Sequence, residues 1–321
     1  FYNNKDDFEL IIKDKLKNSN LGTLLALIVL MIIVTALNPS FIYPSNLINL
    51  FRQITINGFI ALGMTFVILT GGIDLSVGSI LALTSALFAG FVAGGMNTFF
   101  AIVIALVLGA VMGLVNGLLI TKGKLAPFIV TLATMTVYRG LTLVYTNGNP
   151  IQGQSGDFLF AFLGRGNFFG IPFQIILFLI LFGISFVILR KTTFGKKTYA
   201  VGGNEKASFI AGIDTDKVKT KIYIISGVLA SVAGLVLASR LNSAQPTAGQ
   251  AYEMDAIAAV VLGGTSMSGG KGTVVGTLIG AVILGVLNNG LNLLGISSFY
   301  QQIVKGIVIL LAVLIDRQRN K

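Results

Sequence analysis

Residues 99–121 read Phe99-Phe100-Ala101-Ile102-Val103-Ile104-Ala105-Leu106-Val107-Leu108-Gly109-Ala110-Val111-Met112-Gly113-Leu114-Val115-Asn116-Gly117-Leu118-Leu119-Ile120-Thr121, with no charged side chain among them. At 1.5 Å of rise per residue such a run makes a helix of about 35 Å. That exceeds the ~30 Å hydrocarbon core of a bilayer. Polar backbone groups in hydrocarbon must be satisfied within the segment, so the run is helical. Working outward, similar runs fall near 21–37, 46–70, 76–95, 126–146, 171–189, 221–241, 253–265, 273–294 and 300–315. The fold class is therefore all-α, a polytopic membrane protein of about ten spans. The run at 253–265 is too short to cross as a straight helix and reads as a broken or re-entrant segment.

Composition agrees with this class. Hydrophobic residues make up 54% of the 321 and charged residues 11%, against roughly 25% charged in a soluble domain. No composition break divides the chain. One transmembrane domain over 21–315 is expected, with a cytoplasmic segment 1–20, a long cytoplasmic loop at 190–221 and a tail at 316–321.

Basic residues set the orientation. One series of alternate loops holds Lys5, Lys13, Lys15, Lys17, Lys122, Lys124, Arg190, Lys191, Lys196, Lys197, Lys206, Lys217, Lys219, Lys221, Lys271, Arg317, Arg319 and Lys321. The other series holds Arg52 and Arg165. By the positive-inside rule, both termini and the 190–221 loop are cytoplasmic. The net charge of +11 is spread between apolar spans and does not line one surface, so nucleic acid is not an expected partner.

Several chemistries are excluded by what is missing. The chain has no cysteine, histidine or tryptophan. Disulfides, Ser-His-Asp and Cys-His nucleophiles and most transition-metal sites fall away together. No metal site and no cofactor are expected. Gly269-Gly270-Lys271-Gly272-Thr273 is close to a phosphate-binding loop, but Gly272 stands where Ser or Thr must hold magnesium. None of the twelve acids falls in the middle of a predicted span, which argues against a carboxylate proton relay.

Polar and glycine positions mark candidate sites. Gly71, Gly72, Asp74 and Ser76 lie between two spans, where glycines let the backbone leave helical geometry and Asp74 or Ser76 can cap the next helix. This stretch reads either as a broken helix lining a pathway or as a tight turn. A similar pattern recurs at Gly263 and Gly264. Gly109, Gly113 and Gly117 form a strip for close helix packing. Asn116, Arg139, Asn288, Asn289 and Asn292 are pathway candidates, with 288 and 292 on one face, because amides match sugar hydroxyls as donors and acceptors. Their plain alternative is hydrogen bonding between helices. Arg139 could instead pair with Glu253 or Asp255. In the basic loop, Asn204 to Gly212 reads as a capped short helix that exposes Phe209 and Ile210, either for docking to a protein or folded back on its own helices.

The chain closely resembles the permease subunits of bacterial ribose importers of the ATP-binding-cassette (ABC) class. The likeness lies in 71–78, in Tyr145 to Pro150, in Gly202-Gly203-Asn204-Glu205 and in the run from Ser243 to Asn292. The resemblance implies a homodimer in the inner membrane, a cytoplasmic ATPase carrying the cassettes and an external sugar-binding protein. It also implies that the 190–221 loop couples the permease to the ATPase: Glu205, Ala207 and Gly212 resemble a Glu-Ala-Ala…Gly motif, from which Lys206 departs, and Phe209 and Ile210 are the apolar residues expected to dock beside it. The chain itself is not expected to be an enzyme. An ion-coupled secondary carrier is the alternative.

Overall fold

A computed structural model describes residues 19–154 and 156–319; all but the last two residues of the N-terminal segment expected over 1–20 lie outside the described residues, as do 155 and 320–321. Thirteen α-helices follow in order among the described residues. These are α1 (Ser19–Leu37), α2 (Pro44–Leu69), α3 (Val77–Ala93), α4 (Thr98–Thr121), α5 (Pro127–Thr146), α6 (Phe158–Arg165) and α7 (Phe173–Lys191). They continue as α8 (Thr193–Gly203), α9 (Glu205–Ile210), α10 (Thr215–Leu241), α11 (Tyr252–Leu262), α12 (Val274–Leu293) and α13 (Ser298–Arg319). A 3-10 helix at Pro39–Ile42 and two-residue strands are the remaining regular structure among the described residues: β1 (Ile151–Gln152) pairs antiparallel with β4 (Ser243–Ala244), and β2 (Asn167–Phe168) with β3 (Ile171–Pro172). The all-α reading holds.

Six helices, α2, α4, α5, α7, α10 and α12, are long and apolar enough to cross a membrane. Shorter apolar stretches cover Leu21–Leu37, Val77–Ala93 and Ser298–Leu311. Local sequence sets many of the ends. Pro44 and Pro127 open α2 and α5 at the first turn, where proline's missing N–H costs nothing. Asn97, Asp157, Asn204, Asp214 and Thr273 cap α4, α6, α9, α10 and α12 through their side chains.

The bundle is built around α2 and α10. Their most apolar windows are 83% and 78% buried, against 33%, 28% and 22% for α4, α5 and α7. The outer helices therefore present apolar faces to lipid, as a membrane bundle requires. The predicted glycine strip explains the closest contact: a Cβ on Gly109, Gly113 or Gly117 would overlap Ser231, Tyr223 or Thr220 of α10. Gly276 and Gly280 of α12 meet Gly263 and Ala259 at the end of α11 in the same way. Without a hydrophobic drive between helices in lipid, such backbone proximity supplies the packing energy.

Two of the helices at predicted spans are too short to cross the hydrocarbon alone: α11 has eleven residues and α3 seventeen, against the ~20 needed. Both are reached through non-helical chain, at 70–76 and 242–251.

Candidate functional site

The first short helix begins beside a buried carboxylate. After α2 ends at Leu69 the chain turns through Gly71 at φ +74° and returns into the bundle. Asp74 is fully buried. Its Oδ1 accepts from the Ser76 amide at 3.0 Å and the Ser76 hydroxyl at 2.6 Å, and its Oδ2 from Ser226 of α10 at 2.8 Å. Asn116 of α4 completes the network by donating to the Ser76 hydroxyl at 2.8 Å. Ser226 is the twelfth residue of the 27 in α10, so the turn reaches ~16 Å along that helix. Two sequence expectations are corrected here. Ser76 stands at the N-cap of α3 without a side-chain cap bond, because its hydroxyl is spent on Asp74. An acid also lies deep among the helices, although no span contains it, because the loop folds inward. A carboxylate is thus buried in the bundle without lying in any predicted span.

The second short helix meets the first head to head. Gly78 in the first turn of α3 and Gly249, three residues before α11, are packed so closely that a Cβ on either would overlap the other's carbonyl. From there α3 runs toward the C-terminal end of α5, where Gly90 touches Tyr145, and α11 runs away toward Gly276. Arg139 of α5 binds the junction. Its Nη1 donates to the carbonyls of Pro246 and Ala248 at 2.7 and 2.8 Å, and its Nη2 to that of Gly78 at 3.4 Å. The expected pairing of Arg139 with Glu253 or Asp255 is not formed; Asp255 pairs with Lys305 of α13 at 2.9 Å. The Pro246 and Ala248 carbonyls of the non-helical 242–251 segment are the nearer acceptors.

The three asparagines of α12 separate. Asn289 is buried and exchanges two 2.9 Å hydrogen bonds with Asn46 of α2, a structural pairing. Asn292 is exposed and accepts from Gln301. Asn288 lines a cavity of ≈40 Å³ with Gln53, Asn57 and Asp255, and its buried carboxamide oxygen has no partner. Asn288 and Asn292 share a helix face but not an environment, since α12 leaves the bundle near Asn292.

At the far end of α2 three loops converge. Gly264 has φ +84°, and the chain that follows α11 brings the Gly270 amide to the Leu69 carbonyl at 2.9 Å. Gly202 of α8 lies against both groups, and a Cβ there would overlap Leu69 O. Tyr199 donates to the Gly272 carbonyl at 2.9 Å. The glycine-rich segments 69–72 and 263–272, similar in sequence, thus share one end of the bundle with α8. The Gly269–Thr273 segment lies in this contact.

Helix α9 projects from that end. Asn204 accepts from the Ala207 amide at 2.9 Å, and Gly212 at φ +84° turns the chain after Ala211. Glu205 is held by Lys219 of α10 at 2.6 Å, so its carboxylate is already engaged within the chain. Asp214, the cap of α10, takes a hydrogen bond from the Lys217 side chain that holds its carboxyl below the usual range. Phe209 and Ile210 remain 69% and 84% exposed. The fold-back alternative for these two side chains is not what the structure adopts.

Helices α2 to α12 and most of α13 fall within one match. Residues 46–313 fit the family described as the permease component of branched-chain amino acid transport systems. The chain belongs to this permease family. It is a multi-pass protein of the inner membrane. Among curated proteins it is 65% identical to the ribose import permease of Bacillus subtilis over 94% of this chain and 93% of that one. It is 52% identical to the ribose import permease of Escherichia coli over 93% and 94% of the two chains. The L-arabinose transport permease of Escherichia coli is 40% identical over 94% of this chain and 91% of its own. No solved structure matches.

Proposed function

We propose that this chain is the membrane-spanning subunit of an ABC importer and forms the path for ribose or a closely related monosaccharide. The observation that carries the reading is the near-full-length likeness to ribose import permeases at 50–65% identity. ATP hydrolysis belongs to a partner subunit on this reading, and the chain performs no covalent chemistry. Ten crossings with cytoplasmic termini, a second copy of the chain and an external sugar-binding protein complete the assembly. Phe209 and Ile210 support an ATPase-docking role, because exposed apolar side chains on a basic loop have no partner in lipid. Asn289 is committed to its pairing with Asn46, and Asn116 gives its amide to Ser76, so Asn288 and Arg139, which line cavities, are the stronger pathway residues. The partner's differential contact with two permease states is what moves the sugar.

The test is uptake of labelled ribose by proteoliposomes containing the permease, its ATPase and its binding protein. Uptake should require both the ATPase and ATP. Uptake that persists without the ATPase and follows a sodium gradient would establish the secondary-carrier reading instead.

A further inference from the structure

The head-to-head junction of α3 and α11 encloses more than contacts. Beside it lies a cavity of ≈400 Å³ lined by Ser79, Thr136, Arg139, Gln250 and Glu253, with Met135, Gly140, Leu143 and Ala251 completing the wall. Ser79, in the first turn of α3, is 1% exposed, and its hydroxyl has no hydrogen-bond partner. A buried, unsatisfied hydroxyl at a cavity wall is a costly group that a bound polar molecule would satisfy. Arg139 is the thirteenth residue of the twenty in α5, far from either end. A guanidinium, a carboxylate and an amide at such depth face a water-filled path and not lipid.

We infer that this cavity is a monosaccharide-binding subsite of the translocation path. Its size lies within the ~300–1,000 Å³ range of small-molecule sites, whereas the ≈40 Å³ cavity at Asn288 has room for a few waters. Its chemistry is that of a neutral polyol. Glu253 accepts from a hydroxyl, Arg139 retains donors beyond its three carbonyl bonds, Ser79 and Gln250 both donate and accept, and Thr136, whose hydroxyl donates to the Leu132 carbonyl at 3.1 Å, accepts. Two converging helix N-termini add the positive ends of their dipoles from both sides. Met135 and Leu143 offer apolar surface to the C–H face of a sugar ring. The junction is also a place where a switch acts directly: α3 and α11 approach from opposite ends of the bundle, and any movement of one past the other opens or closes the site.

This assignment rests on the sugar-import reading, and the test separates the two. The chain has no native cysteine, so Thr136→Cys places a single reporter thiol in the cavity. Its maleimide labelling rate is measured in the purified permease–ATPase complex with D-ribose titrated up to high excess, with sucrose as the control. Ribose should slow labelling about tenfold, and Ser79→Ala or Glu253→Gln in the same background should each raise the ribose concentration that gives half of that protection about tenfold, as loss of one hydroxyl contact does. Ribose uptake by the parent complex is measured in parallel. If the parent does not transport ribose, the import reading fails. If it does, equal labelling with and without ribose, or protection unchanged in both variants, overturns the subsite.

Discussion

Consider Ser226→Ala, alone and combined with Asp74→Ala. Asp74 accepts three hydrogen bonds while fully buried, and the bond from Ser226 ties the 70–76 turn to α10. Hydrogen bonds between membrane helices average ~0.6 kcal/mol and reach ~1.7. A 2.8 Å bond to a buried acid belongs at the upper end, so Ser226→Ala should cost about 1.5 kcal/mol. Asp74→Ala removes all three bonds and strands the Ser226 hydroxyl, for about 3–4 kcal/mol. With Asp74 already gone, Ser226→Ala has no bond left to break and should cost almost nothing. The double variant should therefore fall short of additivity by about 1–1.5 kcal/mol. Reversible unfolding of the purified permease by SDS titration, followed by circular dichroism, measures all four corners of the cycle. If the two losses simply add, the buried bond does not carry the energy assigned to it and the turn is held by packing alone.

Three further outcomes follow from the end of the bundle that carries α8 and α9. Phe209→Asp removes an apolar contact worth ~1.5–3 kcal/mol when covered; co-purified ATPase should fall at least about tenfold with the permease's own unfolding midpoint unchanged, and full retention would show that α9 is not the docking element. Gly202→Ala drives a methyl into Leu69 O, whereas Gly203→Ala points into open space. The first should lower sugar moved per ATP hydrolysed while the second leaves the ratio alone, and equal ratios would remove the three-loop contact from the coupling path. Thr193→Cys in inside-out vesicles should react with a membrane-impermeant maleimide and stay unreactive in intact cells; labelling in intact cells would invert the topology.

Much was legible from one dimension. A span announces itself through some twenty consecutive apolar residues, and the ten predicted runs each coincide with a helix to within a few residues, except that α10 starts six residues earlier, inside the basic loop. Asn204 and Gly212 likewise act through neighbours in the chain, so the short α9 could be read directly. The Gly109–Gly113–Gly117 strip could be read because helical period alone puts those residues on one face. Depth and pairing could not. Asp74 is buried by a turn that leaves the helical pattern, and nothing local distinguishes it from an acid on a surface loop. Asn288, Asn289 and Asn292 look alike in sequence, yet one lines a cavity, one pairs with Asn46 and one is exposed, according to where α12 meets α2. Ser79 and Glu253 are 174 positions apart in the chain. They became one cavity wall only because two short helices enter the bundle from opposite ends and stop against each other at glycines. Hydropathy reports how each segment partitions into lipid, whereas the meeting of segments depends on which small residues let backbones touch, a property of the packed bundle and of no single segment.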